Sequence, residues 1–125
     1  METFKLTGTT KTPHINLNAT TGVLELSGRS IPEISSEFYA PVLDWVMEYA
    51  KAPKSKTVIE IKFEYFNTSS SKSILDFFKK VELIHKSGAS SVSVKWFVEK
   101  DDEAMEEAGQ EYKSLVTLPF EILPC

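Results

Sequence analysis

From Thr57 to Phe66 apolar and polar side chains alternate: Ile59, Ile61, Phe63 and Tyr65 fall on one face, Val58, Glu60, Lys62 and Glu64 on the other. A period of two predicts a strand with one packed face and one at least partly wet. Ser91 to Glu99 repeats the pattern with Val92, Val94, Trp96 and Val98. Between the two the period changes. Ile74, Phe77, Phe78, Val81 and Ile84 recur by threes and fours, the buried stripe of a helix. That helix starts in the run Thr68-Ser69-Ser70-Ser71, with Thr68 or Ser69 as N-cap, and ends at Gly88 as a C′ glycine. Just before it, His85 and Lys86 suit the negative end of the helix dipole, and His85 is expected to cap it.

The same reading places a helix from Ser35 or Ser36 to about Ala52, with Phe38, Val42, Trp45, Val46 and Tyr49 buried, Pro41 in its opening turns and Pro53 ending it. An acidic helix follows from Asp101 to Leu115, with Met105, Ala108, Tyr112 and Leu115 apolar. Phe4 to Ser27 reads as two short strands, His14–Asn18 and Gly22–Leu26, around a connection of hairpin length. Gly28-Arg29-Ser30-Ile31-Pro32-Glu33 reads as a loop. Leu118–Leu123 adds at most an edge strand, because Pro119 lacks a donor. Strands interleaved with helices predict an α/β two-layer sandwich, residues 1–125 forming one domain. Its mixed sheet has four or five strands, with helices mainly on one face. Trp45 and Trp96, on patterned faces, are expected in the core.

Composition narrows the function classes. The 125 residues suffice for one core, and the 18 acidic against 14 basic residues give a net charge of −4. That balance argues against nucleic acid or an anionic membrane as partner. No apolar run approaches the roughly 20 residues of a membrane-spanning helix, and Met1–Leu17 lacks the pattern of a secretory signal. The cytoplasm is the expected compartment. Cys125 is the only cysteine, which excludes an internal disulfide or a cysteine-based zinc site. His14 and His85 have no metal-ligand spacing, and the carboxylates from Glu99 to Glu107 read as a solvated helix start. Neither cofactor nor catalytic residues are expected. Without a base at a known spacing, Ser69–Ser71 make a weak case for a nucleophile.

The hydroxyl run is the chemical signal that remains. At a strand-to-helix junction, backbone N–H groups and the helix dipole favour an anion. That anion is either a ligand phosphate or a phosphoryl group carried by one of the hydroxyls. The plain alternative is that Asn67, Thr68 and Ser69 only cap the helix.

The chain resembles the SiaC family of bacterial regulatory phosphoproteins over nearly its whole length. The resemblance rests on Gly28 to Glu33, on Phe38-Tyr39-Ala40-Pro41-Val42-Leu43-Asp44-Trp45, on Phe63 to Lys72, and on Asp101-Asp102-Glu103-Ala104-Met105-Glu106-Glu107-Ala108-Gly109. Ile34 stands where the family would have asparagine. The resemblance places the phosphoacceptor on Thr68. It implies a switch without catalytic activity: a serine/threonine protein kinase modifies the threonine, a PP2C-type phosphatase restores it, and the unmodified form activates a diguanylate cyclase. Cyclic di-GMP then rises and biofilm growth follows. The logic is similar to partner switching by STAS anti-sigma-factor antagonists, so a STAS-like fold is expected. An antagonist of that kind and a small-molecule phosphate-binding module are the alternatives. Around Thr68, the expected switch surface comprises Phe66, Asn67, Ser69, Ser70, Ser71 and Lys72, with Arg29 and Glu33 from the earlier loop. The N–H groups of Ser70 and Ser71 are expected to receive the phosphate charge.

Overall fold

The computed structural model describes residues 1–125. Its strands are β1 (Phe4–Leu6), β2 (His14–Asn18), β3 (Val23–Ser30), β4 (Lys56–Phe66), β5 (Ser91–Val98) and β6 (Phe120–Pro124); its helices are α1 (Ser35–Tyr49), α2 (Thr68–Ser87) and α3 (Glu103–Leu115). The strands lie side by side in chain order. β1, β2 and β3 are antiparallel neighbours, and β3 to β6 run parallel, each returning through a helix.

Register follows from three rows of side chains that cross the whole sheet. Phe4, Leu17, Leu24, Ile59, Val94 and Phe120 form one apolar row, and Leu6, Ile15, Leu26, Ile61, Trp96 and Ile122 form another. Between them runs a polar row, Lys5, Asn16, Glu25, Glu60, Lys95 and Glu121. Because strand side chains alternate faces, the polar row points away from the apolar ones. A slip of one residue would carry charges into the core. All three helices bury their stripes against the apolar rows in one cluster of 26 residues, with Phe4, Leu6 and Ile122 at the sheet edges partly buried against it. The opposite face stays polar, which is uncommon for parallel strands but follows from their alternation. Trp45 and Trp96 lie in the core.

The sheet has six strands, not four or five. The added strand is β1, whose three residues are too few to show a period but complete both apolar rows. Gly28-Arg29-Ser30 is not a loop; it is the end of β3. There the register shifts: Gly28 pairs with Phe63 and Arg29 with Tyr65, leaving Glu64 as an extra residue. Beyond this bulge the alternation inverts. Tyr65 turns out, 50% exposed, and Phe66 turns in against Phe63, Trp96 and Tyr112. In α1 the helix ends at Tyr49, short of Ala52, and Tyr39 takes the buried position expected of Phe38. His85 does not cap its own helix; its Nδ1 accepts the Val92 N–H at 3.1 Å, tying α2 to β5.

The end of α3 is fastened to α2 by a buried carboxylate. Glu82 accepts the Thr117 N–H at 2.7 Å, with Lys79 at 3.7 Å and Lys86 at 3.5 Å, while Lys79 Nζ donates to the Leu115 carbonyl at 2.7 Å. In the middle of α3, Gly109 lies against the Trp96 indole, where a Cβ would come within 2.6 Å of a ring carbon. Trp96 Nε1 donates to the Met105 carbonyl at 3.0 Å.

The Thr117 N–H holds the Glu82 carboxyl below the usual carboxylate range against the opposing effect of burial, and the two lysines add to the lowering. A carboxyl lowered on folding contributes stability above its unfolded pKa and loses it as pH falls through the folded value. Glu82→Gln is therefore expected to be less stable than wild type at neutral pH. The gap should close in acid, as urea unfolding at stepped pH will show. A gap that stays constant into the acid range contradicts this assignment.

Candidate functional site

The bulge in β4 sets the course of the chain into α2. With Phe66 turned inward, Asn67 leaves the strand in an extended conformation and its N–H donates to the Ser30 carbonyl at 3.1 Å. Its side chain then reaches into the first turn of α2, where Asn67 Oδ1 accepts the Ser70 N–H at 2.9 Å. Asn67 is thus the N-cap, in place of Thr68 or Ser69. Asparagine ranks at least as high as serine and above threonine in that position.

Capping by Asn67 separates the four hydroxyls that come after it. Ser70 points down into a buried cluster: Tyr39 OH lies 2.7 Å from Ser30 Oγ, Ser30 Oγ donates to Ser70 Oγ at 2.9 Å, and Ser70 Oγ donates to the Ser30 carbonyl at 3.0 Å. Ser35 Oγ joins at 3.2 Å from Ser70 Oγ and 2.8 Å from Ser69 Oγ. Ser30, Tyr39 and Ser70 have no solvent exposure. Burial pushes the Tyr39 phenol up to about 12, against the Ser30 hydrogen bond, so it stays a proton donor. Ser69 also donates to Asn67 Oδ1 at 3.2 Å. Ser71 Oγ donates to the Thr68 carbonyl at 2.6 Å, and the Ser71 carbonyl accepts Tyr112 OH from α3 at 2.9 Å. Burial raises the Tyr112 phenol as well.

Thr68 differs from its three neighbours. It is the first residue of α2, it is exposed, and its hydroxyl makes no hydrogen bond within the chain. The backbone donors free to meet an anion are those of Thr68 and Ser69. Those of Ser70 and Ser71, expected to serve, are taken by the side chain and carbonyl of Asn67.

Two grooves flank this turn. A shallow polar one of about 430 Å³ is lined by Glu33, Ser69, Lys72 and Asp76 among others. A second, of about 230 Å³, lies between α2 and α3 with Phe66, Leu75, Tyr112 and Leu115 as its apolar lining. Lys72 lines both and belongs to no ion pair. Glu33 therefore stands beside the hydroxyl run. Arg29 does not join it: its Nε donates to the Thr10 carbonyl at 3.1 Å and its guanidinium sits 5.9 Å from the Tyr65 ring centre. Phe66 contributes to a groove wall while packed partly in the core, so it is no free-standing anchor.

No histidine or carboxylate hydrogen-bonds to these hydroxyls, and no group of three or more His, Cys, Asp or Glu is placed to hold a metal ion. The arrangement suits an exposed acceptor hydroxyl on a rigid base. The site residues that sequence patterns did not single out are Ser35 and Tyr39 below the turn and Leu75, Tyr112 and Leu115 beside it; Ser30, expected with Arg29 and Glu33 in a loop beside the switch, lies below the turn on Ser70. Ser35 and Tyr39, four apart at the head of an apolar stripe, carried a detectable signal. Ser30 continues the inward set of Leu24 and Leu26 along β3, a period hidden by reading residues 28–33 as a loop.

Known proteins share this fold. The pattern of a family described as SiaC family regulatory phosphoprotein matches residues 6–125. An uncharacterized protein of Pseudomonas aeruginosa strain UCBPP-PA14 is 30% identical over 122 residues, 98% of this chain and 96% of that protein. The solved structure of SiaC of Pseudomonas aeruginosa superposes with a TM-score of 0.91 at 29% identity, covering 100% of both chains. A similar chain, with TM-score 0.90 and 30% identity over 98% of this chain and 99% of that one, occurs in the crystal structure of the diguanylate cyclase SiaD in complex with its activator SiaC from Pseudomonas aeruginosa. No helix here is long and apolar enough to cross a membrane.

The division of labour among the hydroxyls is measurable. Ser70→Ala removes the partner of a buried donor and is expected to cost about 1–3 kcal/mol, whereas Thr68→Ala stays within about 0.5 kcal/mol. Urea denaturation of both variants measures this, and equal losses would contradict the separation.

Proposed function

We propose that this chain, which belongs to the SiaC family of regulatory phosphoproteins, is a cytoplasmic switch without catalytic activity whose state is written on Thr68. A serine/threonine protein kinase transfers the γ-phosphoryl group of ATP to Thr68 Oγ1, which loses its proton as ADP leaves. A PP2C-type phosphatase directs water onto the phosphorus, releasing inorganic phosphate and restoring the hydroxyl. The unmodified form binds and activates a diguanylate cyclase, raising cyclic di-GMP and favouring biofilm growth. Likeness to STAS antagonists enters as logic: a modified hydroxyl at a strand-to-helix junction decides which partner is bound.

The observation that carries this reading is the state of the Thr68 hydroxyl. A kinase needs an acceptor that reaches its site without unfolding the substrate, and Thr68 is exposed and unbonded while Ser70 is enclosed. The phosphate adds about −1.5 to −2 charges and three strong acceptors. The chain can hold them, because the free N–H groups of Thr68 and Ser69 and the positive end of the α2 dipole face that charge. A partner that covers the turn with apolar or acidic surface cannot. Enclosing an unpaired dianion costs several kcal/mol, enough to abolish binding without refolding either protein.

Thr68→Ala is expected to bind the cyclase and keep it active whether or not the kinase is present. Thr68→Glu should weaken binding at least about tenfold, equivalent to about 1.4 kcal/mol. Isothermal titration and a cyclic di-GMP assay on the purified pair read both effects. If both variants bind as wild type does, Thr68 is not the switch.

A further inference from the structure

Two helix starts meet at the shallow polar groove. Ser35 Oγ on α1 lies 2.8 Å from Ser69 Oγ on α2, and residues of both first turns line the cavity of about 430 Å³. α2 has its Asn67 cap, but α1 has none: Ile34 stands at the N-cap position, 53% exposed, with no side-chain oxygen to offer. The N–H groups of Ser35, Ser36 and Glu37 therefore donate to nothing within the chain. The groove holds a second unmet group. Ser73 is only 7% exposed and lines the cavity, yet its hydroxyl makes no hydrogen bond, not even the one to the carbonyl four residues back that is open to a serine inside a helix. Asn16 Oδ1 is the one side-chain atom both sealed from solvent and unbonded, so the Ser73 oxygen opens into the groove. Buried polar groups are normally paired, and one left unpaired at a cavity wall points to a partner from outside the chain.

The charged groups around this cavity carry both signs. Lys72 lines it, as do the carboxylates of Glu33 and Asp76, and none of the three belongs to an ion pair. The orphan donors, the positive ends of two helix dipoles and the Lys72 ammonium favour an oxyanion. The two carboxylates repel a polyanion and call for a cation beside it. One small ligand bearing both charges meets both demands. We propose that the groove between the starts of α1 and α2 binds a free phosphomonoester that carries an ammonium group. Its phosphoryl oxygens take the N–H groups that open α1 and the Ser73 hydroxyl, and its ammonium faces Glu33 and Asp76. Thr68 does not line this groove, so the site is separate from the phosphoacceptor and does not depend on that reading.

The test is a nitrogen-15 NMR titration of the full-length chain with O-phosphoethanolamine at constant ionic strength. Saturable shifts are expected at the amides of Ser35, Ser36, Glu37 and Ser73. Inorganic phosphate should bind at least about twofold more weakly, since it lacks the ammonium. Ser73→Ala breaks no bond within the chain and should weaken binding at least about threefold. Ile34→Asn supplies the missing cap. It should raise the melting temperature and weaken binding, because its side chain takes a donor that the phosphate would use. Thr68→Ala should bind as wild type does, and vesicles containing phosphatidylethanolamine should leave the chain in the supernatant. The site is overturned by an absence of saturable shifts, by shifts centred on the Thr68 amide, or by undiminished binding in either Ser73→Ala or Ile34→Asn. Phosphate that binds as tightly overturns the ammonium, and a chain that pellets with the vesicles overturns the free ligand. None of these results bears on Thr68 as the switch.

Discussion

The buried hydrogen-bond cluster of Ser30, Ser35, Tyr39 and Ser70 holds together the three elements that meet at the functional turn. Ser30 ends β3, Ser35 and Tyr39 open α1, and Ser70 opens α2. In a region without water each of these polar groups needs a partner, and each finds one on a different element. The cluster therefore sets where α2 begins relative to α1, and with it where the Thr68 side chain emerges. An apolar contact at the same place would bind the helices without fixing their rotation so closely.

Above this base the turn leaves one hydroxyl outside its internal bonds. Asn67 spends its side chain on the cap, Ser70 spends its hydroxyl on the cluster, and Ser71 is bonded to the Thr68 carbonyl and, through its own carbonyl, to Tyr112. Thr68 is left with a free hydroxyl and a free N–H at the positive end of a 20-residue helix. Modification there disturbs no internal bond. In the switch we propose, the folded chain tolerates the added charge and a partner laid over the turn does not, so one small covalent change separates the two states.

Much of this was legible in the chain. The helical stripes, the alternating β4 and β5, Gly88 as terminator and both core tryptophans follow from periods and caps that depend on near neighbours. What the sequence concealed depends on a register shift between distant strands. The bulge in β4 opposite Gly28 and Arg29 inverts the end of that strand and sends Tyr65 to solvent and Phe66 inward, while β3 keeps its alternation and brings Ser30 inward to Ser70. A simple alternation carried past Phe63 puts Tyr65 on the wrong face. Arg29 stays on the outer face of β3, and the shift sets the outward Tyr65 beside it, so it meets Thr10 and Tyr65 instead of the hydroxyl run. β1 was missed for a different reason: three residues carry no period, and the strand exists because it completes rows begun five strands away.

Among four adjacent hydroxyls, burial and bonding leave that of Thr68 exposed and unbonded, and it is the phosphoacceptor we propose. Phosphosite mapping by mass spectrometry addresses that directly, on the chain isolated from its native host, before and after treatment with a PP2C-type phosphatase. The expected result is a phosphatase-sensitive phosphate on Thr68 and none on Ser70. A phosphate on Ser70, or a Thr68 unmodified under every growth condition, would contradict the switch and leave the turn as a capped helix start.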